Sequence, residues 1–161
     1  MSKPKNVHGT GLLLGATGVL LRGPSGAGKS VLALSLLDRW EGRGLPAFLV
    51  SDDRVDLVQT GRDLSMKAPE SLAGLIELRG RGIVRRPFAA AAKLHLVIDL
   101  VETLERMLEE DVLVTELGGV ILSRAPVPRA GVIDARHQLL LIREAIAAVN
   151  ATAPVARQKT T

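Results

Sequence analysis

Short apolar runs broken by glycine fill most of the chain, and two longer stretches carry helical spacing. NVHGTGLLLGATGVLLRG, starting at Asn6, reads as two short apolar strands joined by Gly15-Ala16-Thr17-Gly18, a hairpin signal. Lys29 to Trp40 reads as a helix with Leu32, Leu36, Leu37 and Trp40 at helical spacing, ended by Gly42 and Gly44. Pro46 to Ser51 is a short buried strand that runs straight into Asp52-Asp53. RVDLVQT and LSMKA flank Gly61-Arg62-Asp63 as a second hairpin, and Pro69 opens a short helical turn. Ile76 to Val84 is glycine-punctuated and partly extended, and LHLVIDLV (94–101) is another buried strand. Glu102 to Asp111 is polar and charged, a helical or mobile segment. VLVTELGGVILSRAPVP predicts two strands around Gly118-Gly119. Asp134 caps a final helix whose apolar face holds Leu140, Leu141, Ala145 and Val149. Residues 1–5 form a loose start, and 151–161, without periodicity, a disordered tail.

Composition narrows the function classes. The 161 residues suit one domain with a real core, and 47% of them are hydrophobic. No apolar run approaches the ~20 residues of a membrane span, and no charged-then-apolar leader opens the chain, so a cytoplasmic enzyme without membrane contact is expected. There is no cysteine, which excludes disulfides and thiolate zinc sites. A formal charge of +4 admits nucleic acid, but one Trp, two Phe and no Tyr leave few stacking platforms. A phosphorylated or acidic partner suits the charge as well. His95 and His137 have no metal-ligand spacing and read as structural.

The strongest motif is GPSGAGKS, residues 23–30, which matches G-x-x-x-x-G-K-[ST] at every fixed position. Backbone N–H groups must curl round a phosphate, which demands tight turns without bulky side chains. Gly23, Gly26 and Gly28 permit them; Pro24 has no N–H, so the donors come from Ser25, Gly26, Ala27, Gly28, Lys29 and Ser30. The following helix N-terminus favours an anion, Lys29 reaches the outer phosphates, and the Ser30 hydroxyl suits Mg²⁺. The hairpin ahead of the loop sets an antiparallel neighbour beside its strand, which simple doubly wound sheets lack.

Two strand ends compete to supply a carboxylate beside that loop. Asp99 follows the apolar LHLVI, the better match by pattern, whereas Asp52-Asp53 offers adjacent acids that an extended backbone points oppositely. Glu77, two residues from Arg79, is a third candidate. Arg79, Arg81, Arg85 and Arg86 form a basic cluster, either a solvated face or a surface for phosphate or a partner.

The ordered set of His8-Gly9, a hairpin, GPSGAGKS, Ser51-Asp52-Asp53 and ELRGRGIV (77–84) resembles the catalytic domain of HPr kinase/phosphorylase, a bacterial protein serine kinase. The resemblance runs from about Val7 to Asn150, within a single domain of residues 1–150, and is similar to the short form that lacks the additional N-terminal domain of longer members. It implies an α/β fold, a phosphate-loop mixed sheet with flanking helices like the nucleotide-binding core of phosphoenolpyruvate carboxykinase, with ATP and Mg²⁺ as cofactors and HPr as protein substrate. It implies Asp52 as the base that takes the serine proton and returns it when phosphate attacks phosphoserine, releasing pyrophosphate. His8 lies near that carboxylate in this scheme, Lys29 neutralises transferring charge, and Ser30, Asp53 and Glu77 organise Mg²⁺. Arg79 supports the site or meets partner phosphate. Arg106, in Glu105-Arg106-Met107-Leu108, aligns loosely with the family's aspartate-arginine-leucine-glycine loop and would touch the protein substrate, and Ala135-Arg136-His137 sits where the family shows glycine-arginine-asparagine. Homo-oligomers, hexamers in full-length relatives, are implied too. ERMLEED (105–111) departs from the family's partner loop.

Two other readings stay open. A small-molecule kinase would close an arginine-bearing helical flap over its nucleotide, for which ERMLEED is the candidate. A non-catalytic nucleotide-sensing subunit would bind without transfer. The lack of an Asn-Lys-x-Asp segment argues against a guanine-reading switch.

Overall fold

The computed structural model describes residues 5–69 and 72–152. In chain order, β1 (Lys5–His8), β2 (Thr10–Leu14) and β3 (Thr17–Arg22) lead into helix α1 (Lys29–Gly42). β4 (Ala47–Ser51), β5 (Arg54–Thr60), β6 (Asp63–Lys67), β7 (Leu75–Leu78), β8 (Gly82–Arg85), β9 (Ala91–Lys93) and β10 (Leu96–Val101) follow. A 3-10 turn at Glu110–Leu113 precedes β11 (Val114–Leu117), β12 (Val120–Pro128) and helix α2 (Ala135–Ala151).

Six strands in the order β11-β12-β10-β3-β2-β4 form the central sheet. β3 and β12 both pair with β10 in parallel, while β2 pairs antiparallel with β3 and β4. β4 therefore points the same way as β3, and the ends of β3, β4 and β10 open on one edge. Alternation along each strand splits the core in two. Leu12, Leu14, Val19, Leu21, Leu96, Ile98 and Leu100 face one side, where they meet Leu32, Leu36, Leu37 and Trp40 of α1 and Ile142 and Ile146 of α2. Leu20 and Val97 face the other side, packed with Val55, Leu57, Leu64 and Met66. These last four belong to a second sheet, ordered β1-β5-β6-β9. The mixed sheet is as expected. The helices, however, share one face, and the other is covered by strands, because β5 and β6 offer an apolar row every second residue.

The β2–β3 hairpin closes through Gly15-Ala16, and the hairpins at Gly61 and at Gly118-Gly119 also form. Gly18 is required by contact: a Cβ there would lie 1.8 Å from the Lys93 carbonyl oxygen. His95 stitches that site, its Nδ1 accepting from the Gly18 N–H at 2.9 Å and its own N–H donating to the Gly18 carbonyl at 2.9 Å. The stretch expected as two strands holds three. The chain breaks at Gly9, and β1 crosses to pair with β5, Val7 opposite Val55.

Asp134 caps α2 as expected, its Oδ1 accepting from the His137 N–H at 2.8 Å. The buried face of α2 differs from the expected one: Leu140 is 53% exposed, and Gln138, Ile142 and Ile146 point inward. Leu141, Ala145 and Val149 pack at its margin. Gln138 is tolerated inside because its Nε2 donates to the Pro128 carbonyl at 3.0 Å. Ala151 still belongs to α2, and Lys5 to β1. Residues 1–4 and 153–161 of the expected loose start and tail lie outside the described residues, as does part of the Pro69 turn, where the Leu72 N–H donates to the Pro69 carbonyl at 2.9 Å.

Candidate active site

The loop between β3 and α1 takes its shape from two glycines. Gly26 and Gly28 have φ of 86° and 89°, a left-handed region that L side chains rarely adopt. Gly23 packs on β10, where a Cβ would come within 3.1 Å of Leu100 Cβ. The Ala27 N–H donates to the Pro24 carbonyl at 3.1 Å, and the first helical bond of α1 runs from Leu32 to Gly28 at 3.0 Å. Lys29 Nζ folds back to donate to the carbonyls of Gly23 (2.7 Å) and Pro24 (3.2 Å), so the ammonium spans the loop. The first turn of α1 carries no acidic residue to compete for an anion.

Asp52 and Asp53 sit where β4 ends. They are not extended: Asp53 has φ 70°, the one positive value for a non-glycine among the described residues. The turn is closed by Arg54 N–H to the Asp52 carbonyl (2.8 Å), Gly9 N–H to the Asp53 carbonyl (3.1 Å) and the Ser51 hydroxyl to the Arg54 carbonyl. The two carboxylates diverge through this turn rather than through strand alternation. Asp52 Oδ1 accepts from the hydroxyls of Ser30 and Thr10, each at 2.9 Å. Its Oδ2 accepts from Ser30 at 3.2 Å and from the Glu77 N–H at 3.3 Å. Asp53 instead turns outward, with Oδ1 3.7 Å from His8 Nδ1 and both side chains largely in water, 69% and 75% exposed. Contacts this solvated contribute little to stability.

Asp99 lies in register with Arg22, the last residue before the loop. Arg22 grips it with Nε at 2.8 Å and a terminal nitrogen at 2.9 Å, and Arg124 adds Nε at 2.6 Å. Arg124 also donates to the Val112 carbonyl at 2.8 Å. Burial alone would raise the Asp99 pKa, but the bonds and charges of Arg22 and Arg124 outweigh it and hold the carboxyl below its ordinary value. Of the two strand-end acids left open by the sequence, Asp52 is the one that reaches Ser30.

The remaining expected residues stand apart. Glu77 is exposed and joins the cluster through its backbone N–H. Arg79 and Arg81 lie on the exposed β7–β8 turn, Arg106 on an exposed loop, and Arg136 at the start of α2. ERMLEED is not a helical flap; apart from the 3-10 turn it is irregular. Leu104, Leu108 and Val112 line a cavity of about 240 Å³ with Pro126, Pro128 and Leu141, so the segment leans on β12 and α2.

Three residues at this edge escaped sequence reasoning: Thr10, Arg22 and Arg124. Each is a polar side chain within or beside an apolar strand, and a polar residue in such a run needs a partner. That signal was present, but the partner was not readable.

The sequence pattern of the HPr Serine kinase C-terminal domain matches residues 1–152. The chain belongs to that family. It is 40% identical over 110 residues to the HPr kinase/phosphorylase of Acidovorax sp. (strain JS42), covering 62% of this chain and 33% of that protein. The corresponding protein of Cupriavidus metallidurans is 39% identical over 110 residues, covering 63% and 32%. The chain thus spans about a third of the length of these curated relatives. Its fold matches that of the Hpr(Ser) kinase/phosphatase from Coxiella burnetii with a TM-score of 0.72 at 27% identity, over 91% of this chain and 99% of that one. No helix among the described residues is long and apolar enough to cross a membrane.

Proposed function

We propose that the chain is an ATP- and Mg²⁺-dependent protein serine kinase that phosphorylates HPr, and that it also runs the reverse reaction. The observation that carries this reading is the junction at the mouth of the glycine loop, where the Asp52 carboxylate lies 2.9 Å from the Ser30 hydroxyl and Lys29 spans the loop. Names of relatives support the same substrate. In this reading residues 23–30 cradle the nucleotide phosphates as a phosphate loop, on a core like that of phosphoenolpyruvate carboxykinase. Lys29 offsets charge on the transferring group. Asp52 takes the proton as the serine oxygen attacks the γ-phosphorus and the bond to ADP breaks. In reverse, inorganic phosphate attacks phosphoserine, Asp52 returns the proton to the serine oxygen, and pyrophosphate leaves. His8 serves from the solvent side, beside Asp53.

The donors at this corner suit Mg²⁺. They are hard oxygens, the Ser30 hydroxyl and the Asp52 carboxylate 2.9 Å from it. Mg²⁺ characteristically takes one or two protein oxygens and fills the rest with phosphate and water. Ser30, Asp53 and Glu77 are the residues proposed to hold it; the Asp53 and Glu77 side chains, exposed in this structure, would turn toward Ser30 to do so, and the ion would then supply further charge neutralisation. The exposed arginines 79, 81, 85 and 86 on or beside the β7–β8 hairpin suit a phosphate or an acidic partner face, with Arg106 and Arg136 as further contacts. Homo-oligomers, as large as hexamers, belong to the same proposal.

The test incubates the protein with HPr, ATP and Mg²⁺ and resolves phosphorylated HPr. A second arm adds inorganic phosphate to phosphoserine-HPr and measures pyrophosphate. Folded, nucleotide-binding protein that transfers nothing in either arm overturns the reading.

A further inference from the structure

Thr10 opens β2 and is fully buried, a polar side chain at the head of the apolar run Leu12 to Leu14. Its hydroxyl donates to Asp52 Oδ1 at 2.9 Å. The backbone around it is tightly constrained. Thr10 pairs with Leu21 on β3, and a Cβ on the preceding Gly9 would lie 2.7 Å from the Leu21 carbonyl oxygen. His8-Gly9-Thr10 therefore meets both aspartates: His8 at the Asp53 carboxylate, Gly9 at the Asp53 carbonyl and Thr10 at the Asp52 carboxylate.

The three donors to Asp52 are not equivalent. Ser30 belongs to the glycine loop, whose hydroxyl must answer to nucleotide and metal. The Glu77 N–H is long, at 3.3 Å, and comes from a separate two-stranded hairpin. Thr10 alone comes from the central sheet, and its branched side chain has few rotamers to choose from. We infer that Thr10 is a positioning residue for phosphoryl transfer: its hydroxyl keeps the Asp52 carboxylate in one rotamer at the loop mouth while Ser30 engages the nucleotide site. This rests on the proposed role of Asp52 as base.

Thr10→Val keeps the shape and removes the hydroxyl; Thr10→Ser keeps the hydroxyl. The experiment measures kcat and KM for HPr, ATP affinity by calorimetry, and three-bond couplings that report the Asp52 side-chain rotamer. Thr10→Val is expected to lower kcat about 10- to 100-fold with KM and ATP affinity within a few-fold, as for a base displaced from its working position. Its couplings should show rotamer averaging. Thr10→Ser should recover both kcat and the single rotamer. Wild-type kcat in Thr10→Val, or a single Asp52 rotamer there, overturns the inference. Should Thr10→Val not fold, Thr10→Ala carries the same comparison. If wild-type protein transfers no phosphate to HPr, the kinase reading fails, and the couplings still decide whether Thr10 holds the carboxylate.

Discussion

Asp52 follows β4 and Asp99 lies near the end of β10, and both strands run parallel to the strand that feeds the glycine loop. Their surroundings differ in kind. Asp52 is held by two hydroxyls and one backbone N–H, all neutral. Asp99 is held by two guanidinium groups, one of them bidentate. A hydroxyl can rotate from donating to a carboxylate to offering its oxygen to a cation, so the Asp52 cluster can rearrange around a ligand. Bidentate guanidinium bonds fix both partners and neutralise the acid. The Asp99 cluster therefore ties Arg22, at the foot of the loop, to β12 and the Val112 carbonyl. It leaves a net positive charge beside the glycine loop. One aspartate sits among neutral groups that can rearrange, and the other is used as a staple.

The largest effect expected from breaking this contrast is at Asp52. Asp52→Asn should lower phosphate transfer to HPr about 10³-fold, within the range for loss of a general base. ATP affinity and the denaturation midpoint should change little, since the partners of Asp52 are neutral. Calorimetry, denaturation and the transfer assay give the three readouts, and retained turnover would move the base elsewhere. Asp99→Asn should invert the pattern. It strands two arginines in a partly buried site and should cost about 2–3 kcal/mol of stability in urea denaturation, below the full buried-pair penalty because solvent reaches all three side chains. A larger stability loss in Asp52→Asn than in Asp99→Asn would erase the distinction.

The pattern of apolar positions was sufficient to find the hairpins, the loop, α1 and the strand ends that carry both acids. It was insufficient to choose between them, because LHLVID is the more apolar approach and apolarity says nothing of what the carboxylate will touch. Arg22 and Arg124 are about a hundred residues apart in the chain, and only the parallel pairing of β3, β10 and β12 brings them to Asp99. Gly9 is comparable: the sequence places a glycine between apolar strands, but the switch of β1 to another sheet depends on β5, some 45 residues later. Leu140 shows the limit of helical spacing, since Gln138 took an inward position through a bond to Pro128 that no periodicity reports.

A smaller effect tests the Asp99 cluster by pH. The folded-state pKa of Asp99 lies below its ordinary value, held there by Arg22 and Arg124 against the opposing effect of burial. Its contribution is then fully present above that ordinary value and is lost as pH falls through the folded pKa. Urea midpoints measured downward from pH 5 should fall, and Asp99→Asn should flatten that limb relative to wild type. An unchanged acid limb in the variant would mean that Asp99 does not carry the linkage.

The smallest effect concerns the turn that makes Asp52 and Asp53 diverge. Asp53 occupies the left-handed region, where a Cβ costs roughly 1 kcal/mol and Asp is among the better tolerated residues. Asp53→Gly removes that cost but adds unfolded-state entropy, so its net stability change should lie within about 0.5 kcal/mol. Asp53→Ala keeps a Cβ without a short polar side chain to ease the conformation, and should be less stable than Asp53→Gly by about 1 kcal/mol. Both variants lose the contact with His8, so its worth cancels between them. Equal stability of the two variants would mean that the backbone is not left-handed in solution. The divergence of the carboxylates, and with it the separate assignment of Asp52 to Ser30 and Asp53 to His8, would then need another cause.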